Sequence, residues 1–106
     1  MDNIAVIYKI LKALEESMDY PEFDDRRISA DRLGISAERR MAILKMLKDR
    51  RLIEGISFDE DMEGNLYPSV CRIRITLAGL EYMDENSAMK RFAKMLKGIK
   101  DAIPGA

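Results

Sequence analysis

SADRLGISAERRMAILKMLKDRRLIEGISFDE, residues 29–60, carries the pattern from which the fold is read. Ser29 can accept a bond from the free amides at the start of a short helix over 30–33, and Gly34 follows where a left-handed C-terminal cap is wanted. Ser36 opens a second helix that runs to about Arg51. Glu38 and Arg39 lie in its first turn, and Ile43, Leu44 and Leu47 form its buried stripe. Two helices joined by a short glycine turn make a helix-turn-helix unit. From Leu52 to Asp59 the apolar period drops to two, with Ile56 and Phe58 in alternation, and the chain reads as a strand.

Downstream, Val70 to Thr76 alternates Cys71, Ile73 and Ile75 with Arg72 and Arg74, a second strand with one wet face. On that phase Cys71 is a small buried hydrophobe. Glu60 to Asn65, with the turn pair Gly64 and Asn65, links the two strands into a hairpin, and Pro68, which cannot donate a ladder bond, suits an edge. Upstream, Ile4, Ile7, Leu11, Leu14 and Met18 are spaced by threes and fours and mark a helix over 3–18, with Asp2 or Asn3 as its cap. Residues 19–25, containing Pro21, break it, and a short strand is expected at Arg26 to Ile28. Thr76 caps a helix over 77–84 and Ser87 caps a last one from Ala88 to about Ile103.

The expected order is three helices, two strands and two helices, all in one domain over 1–106. It is an α+β, mostly α fold, a winged helix-turn-helix with a two-stranded wing and extra C-terminal helices. The winged-helix core occupies 1–86 and a C-terminal amphipathic helix 87–103. Leu44, Leu47, Leu52 and Ile53 anchor the third helix to the base of the wing. Arg51 stands where winged helices usually carry glycine, so a strained or lengthened turn is expected there.

The run Ile75-Thr76-Leu77-Ala78-Gly79-Leu80-Glu81-Tyr82-Met83-Asp84-Glu85-Asn86-Ser87 resembles the YjcQ-like family of small bacterial and phage-borne winged-helix proteins. The N-terminal helix and the overall length extend the resemblance over most of the chain. It implies the fold and a prokaryotic or prophage setting, and it supplies no catalytic residues.

Composition narrows the chemistry. The 106 residues are 47% apolar and 35% charged, enough to bury one core, and they include no histidine and one cysteine. The usual general base, the commonest metal ligand and any internal disulfide are therefore missing. No enzymatic activity, cofactor or small-molecule substrate is expected. Asp59, Asp61, Glu63 and Gly64 match the opening of a calcium loop, but Val70 occupies the twelfth position, where a bidentate glutamate is required, so no metal is expected. The N-terminus lacks the pattern of a secretory signal, and lysines interrupt every apolar stretch short of the roughly 20 residues a membrane span needs. A cytoplasmic chain is the expectation.

Charge is sorted along the chain although the net is −1. Residues 36–53 carry six cations and two anions, 54–65 five anions and no cation, and 88–106 five cations and one anion. A winged helix commonly lays its third helix in the major groove. At about 100° per residue the core arc takes Ala37, Arg40, Met41, Ile43, Leu47 and Arg51, and the outward arc Glu38, Arg39, Ala42, Lys45, Met46 and Asp49. Arg40 should pair with an acid such as Asp31, or snorkel. Ser36, Arg39, Ala42 and Lys45, joined by Arg72 and Arg74 of the wing, form the candidate DNA-binding set. The nearly neutral outward arc and the acidic wing weigh against a strong field.

In the last helix Met89, Phe92, Leu96, Ile99 and Ile103 form an apolar seam among Lys90, Arg91, Lys94, Lys97 and Lys100. The seam can pack on its own domain, dimerise the chain through Met89, Phe92, Leu96 and Ile99, or lie on an anionic surface. A membrane is the least favoured. The functional expectation is a DNA-binding, transcription-regulating winged helix with double-stranded DNA and a homodimer as partners. The alternative is a protein-interaction or dimerisation module that keeps the fold without binding DNA.

Overall fold

The computed structural model describes residues 3–102, and side chains over 3–97. Asp2 and Ile103, and the side chains of Ile99 and Lys100, lie outside the described residues. The element order is α1 (Asn3–Glu16), 3-10 turns at Ser17–Asp19 and Asp25–Ile28, α2 (Ala30–Leu33), α3 (Ala37–Asp49), β1 (Ile53–Glu60), β2 (Leu66–Ile75), α4 (Leu77–Glu85) and α5 (Ser87–Ala102). The antiparallel hairpin of β1 and β2 forms the wing behind the α2–α3 helix-turn-helix, and the architecture is a winged-helix arrangement.

Local chemistry sets these boundaries. Ser29 Oγ accepts the Arg32 amide at 3.2 Å, and Ser36 Oγ accepts the Arg39 amide at 3.1 Å, so α2 and α3 start where their caps stand. Gly34, at φ 69°, closes α2 in the left-handed conformation. The α1 helix stops at Glu16, where the Ser17 hydroxyl turns back and donates to the Leu14 carbonyl at 2.6 Å. Met18 therefore falls beyond the helix and is exposed, against its expected place in the stripe. The fully buried face of α1 is instead Val6, Ile10, Leu11 and Leu14, with Ile4 and Ile7 only half-buried. This helix packs on β2, α4 and α5 at once, which turns its burial away from a single stripe.

The core joins those four residues to Ile28, Leu33, Ile43, Leu44, Leu47, Leu52, Ile53, Ile56, Ile73 and Ile75. Each aliphatic side chain moved from water into such a core contributes roughly 1.5–3 kcal/mol before the entropic cost of ordering it. The expected strand at Arg26 to Ile28 is a 3-10 turn. Asp24 accepts both the Arg26 amide at 3.1 Å and its guanidinium at 2.9 and 3.0 Å, which coils the backbone there. Ile28 still reaches the core, and Arg27 meets Glu16 at 2.7 Å, tying the turn to the end of α1.

The hairpin holds the largest departure from simple alternation. Ile53 pairs with Ile75 and Glu54 with Arg74, and then Ile56 pairs with Val70. One β1 residue, Gly55, thus faces three of β2, Cys71 to Ile73. Gly55 has φ 84°, and a Cβ there would collide with the Arg72 carbonyl, so only glycine lets the strands meet. The bulge shifts the phase of β2: Ile73 and Ile75 point inward, whereas Cys71 is exposed rather than buried.

At the base of the wing, α3 ends in a tight motif. The Arg51 amide donates to the Lys48 carbonyl and the Leu52 amide to that of Leu47, both at 2.9 Å, with Arg51 itself at φ 60°. Thr76 closes the junction. Its hydroxyl donates to the Arg51 carbonyl at 2.6 Å and accepts the Gly79 amide at 3.0 Å, so one side chain secures the end of α3 and the start of α4. Gly79 is buried in the first turn of α4, where a Cβ would strike the Leu52 carbonyl and Ile75.

The cap of α5 is Asn86 rather than Ser87. The Asn86 side chain accepts the amides of Ala88 and Met89 at 3.0 and 3.1 Å. Met89 is fully buried and the Phe92 ring lies 5.1 Å from that of Tyr8, so the first turns of α5 pack on α1. Among the described residues no helix is long and apolar enough to cross a membrane.

Candidate nucleic-acid interface

The exposed side of α3 begins at its cap. Ser36, Glu38, Arg39, Ala42, Met46 and Asp49 are exposed and Lys45 is half-buried, as the outward arc requires. Ala42, with its single methyl, leaves the middle of this face low between the longer Arg39 and Lys45. On the core side Ile43, Leu44 and Leu47 are buried, but Ala37 and Arg51 are exposed because both sit at helix ends that leave the packed interior. Arg40 is half-buried and its Nε donates to the Ile28 carbonyl at 2.6 Å, so its partner is a backbone oxygen at the end of the 3-10 turn rather than Asp31. That bond ties α3 to the segment preceding α2.

Lys45, Arg74 and Arg72 each hold a partner in the fold. Lys45 meets Asp49 one turn on at 2.8 Å, with 40% and 60% of the two side chains exposed. Arg74 meets Glu54 across the hairpin at 3.4 Å, with 60% and 52% exposed. Pairs this wet are worth about 0–1 kcal/mol, so a phosphate can take either cation from its carboxylate at small cost. Arg72 donates to the Tyr20 carbonyl at 3.3 Å, which anchors the 20–25 loop against the wing and turns Arg72 toward that loop. Arg39, exposed one turn into α3, is the cation nearest the helix start.

The wing tip lies alongside the same helix. A groove of about 370 Å³ runs between Ala37, Glu38, Met41 and Ala42 of α3 and Gly64, Asn65 and Leu66 of the hairpin. The tip is shaped by Asp61, whose carboxylate accepts the amides of Asn65 at 2.8 Å and Glu63 at 2.9 Å, the Asn65 side chain at 3.1 Å and the Tyr67 hydroxyl at 2.9 Å. Those donors, the Asn65 amide first, hold the Asp61 carboxyl below the ordinary value of 3.8. The acid at the centre of the calcium-like motif is thus spent on its own turn. Among the described residues no three potential ligands come together to hold a metal.

Structure places Ser36, Arg39, Ala42 and Lys45 on one open face, and Arg72 and Arg74 at the base of the wing with partners of their own. Met89 and Phe92, from the seam that could pack on its own domain or dimerise the chain, face their own chain, while Leu96 is exposed. The groove beside α3 has no local signature, since its walls are more than twenty residues apart in sequence.

Five helices and a two-stranded antiparallel hairpin make an α+β protein with a winged-helix-like arrangement. More particularly, the chain belongs to the YjcQ protein family, which it matches over residues 8–102. No curated protein and no solved structure matches it.

Proposed function

We propose that the chain binds double-stranded DNA by laying α3 in the major groove, as a transcription regulator in the cytoplasm of a bacterial or prophage-carrying cell. One observation carries this reading: Arg39, Ala42 and Met46 form an exposed face on a helix whose opposite side is seated in the core. Arg39 reaches a base edge or phosphate from the first turn, Ala42 permits close approach, and Lys45 exchanges Asp49 for a phosphate. A random duplex in about 50 mM salt should bind, and Arg39→Ala and Lys45→Ala should each lower affinity and flatten the salt dependence by about 0.9 for each phosphate no longer neutralised. A duplex that does not bind at that salt, or variants that bind like the parent chain, would sink the reading.

A second reading is favoured by the sign of the wing. Asp59, Glu60 and Glu63 are exposed on the wing, whose tip borders α3, and would repel phosphate, which suits a module that holds a protein partner instead.

A further inference from the structure

We infer that the chain associates with a second copy of itself by exchanging α5, the basic outer face of that helix from each protomer seating in the groove between α3 and the wing tip of the other.

The groove has an apolar floor and an acidic rim. Met41 and Leu66 are half-buried within it, and Ala37 and Ala42 leave it open. Glu38 lines one wall, and the Glu60 carboxylate folds back to within 3.8 Å of where a Cβ on Gly64 would stand. Residues 54–65 contain five acids and no base.

The complementary surface lies on α5 of the same chain. Met89 and Phe92 anchor one side of that helix to the domain. Further along, Met95 is 53% exposed and lies with the exposed Arg91 and Lys94 on the side of the helix turned away from Met89, flanked by the exposed Lys90 and Lys97, while Leu96 continues the inner seam. An apolar side chain set among cations fits an apolar floor rimmed by anions.

Charge also selects the occupant. Two α5 helices laid side by side would bring together segments that each carry five cations and one anion, and like charges brought close oppose docking. Docking α5 on the acidic groove reverses that sign. A reciprocal exchange satisfies both grooves in a closed two-fold pair, whereas a one-way arrangement would grow an open chain. Because Ala37, Glu38 and Ala42 line the groove, the exchanged pair covers part of the α3 face. Competition between self-association and duplex binding follows, and only that consequence rests on the proposed function.

Sedimentation of the full chain without DNA tests the association itself. Dimers are expected at micromolar concentration in low salt, with the dissociation constant rising at least about tenfold by about 0.5 M salt as the charges are screened. Glu38→Lys with Glu60→Lys should give monomers, and so should Lys94→Glu with Lys97→Glu. Mixing the two variants should restore a heterodimer, since one of its two docked sites is then native and the other has both signs reversed. Restoration also shows that both variants are folded. A parent chain that stays monomeric, a groove variant that still dimerises, or a mixture that stays monomeric overturns the exchange. Adding a short duplex should lower the dimer fraction, and a duplex that binds the dimer without dissociating it overturns the competition.

Discussion

Arg51 shows at the scale of one residue how a fold tolerates local strain. A left-handed backbone costs a non-glycine residue about 1–2 kcal/mol, yet the amides of Arg51 and Leu52 and the Thr76 hydroxyl all require that geometry. Arg51→Gly should relieve the strain and raise stability by about 0.5–1 kcal/mol after glycine's greater unfolded-state entropy is subtracted, read from a urea melt. That glycine would suit this position was legible from the sequence; that threonine 25 residues later holds the turn was not. Asp61 gives a second residue-scale expectation. Its carboxyl is held below 3.8 in the fold by its donors, so the tip is fully supported above that pH and loses the support as pH falls through the lower folded value. Amide shifts of Glu63 and Asn65, followed by NMR through the acid range, should titrate together with that depressed value. A midpoint at or above 3.8 would contradict the staple.

Elements were legible where the signal is local. The caps Ser29, Ser36 and Thr76 and the buried triad Ile43, Leu44 and Leu47 need only their own helix, and each stands where the spacing puts it. Adjacent candidates are harder to separate, as at α5, where Asn86 accepts two amides and Ser87 has become the first helical residue. Asn86→Ala should therefore lower the thermal stability of the domain by about 1 kcal/mol, and Ser87→Ala should leave it within about 0.5 kcal/mol. The reverse ranking would return the cap to Ser87. Strand phase failed for a comparable reason. Alternation predicts inward positions only while pairing stays regular, and the bulge opposite Gly55 moved Cys71 to the surface.

In the whole molecule the buried side of α3 shares one core with α1 and the base of the hairpin, while the wing tip borders part of its exposed side and leaves the rest to solvent. Leu44 lies in that shared core with about 1% of its surface exposed, so Leu44→Ala should cost about 2–5 kcal/mol and unfold the domain in one cooperative step by calorimetry. Loss of α3 alone, with the rest intact, would contradict a single core. The sequence by itself determined the order of elements, most helix caps, the buried face of α3 and the sorting of charge, because all of these follow from residues a few positions apart. Tertiary structure alone decided that Arg74 and Arg72 are held, by Glu54 and the Tyr20 carbonyl, and which half of the α5 seam faces inward. It also decided that the acidic wing tip lies beside α3. Such interactions join distant parts of the chain, and their energies depend on distance and burial that no local period encodes.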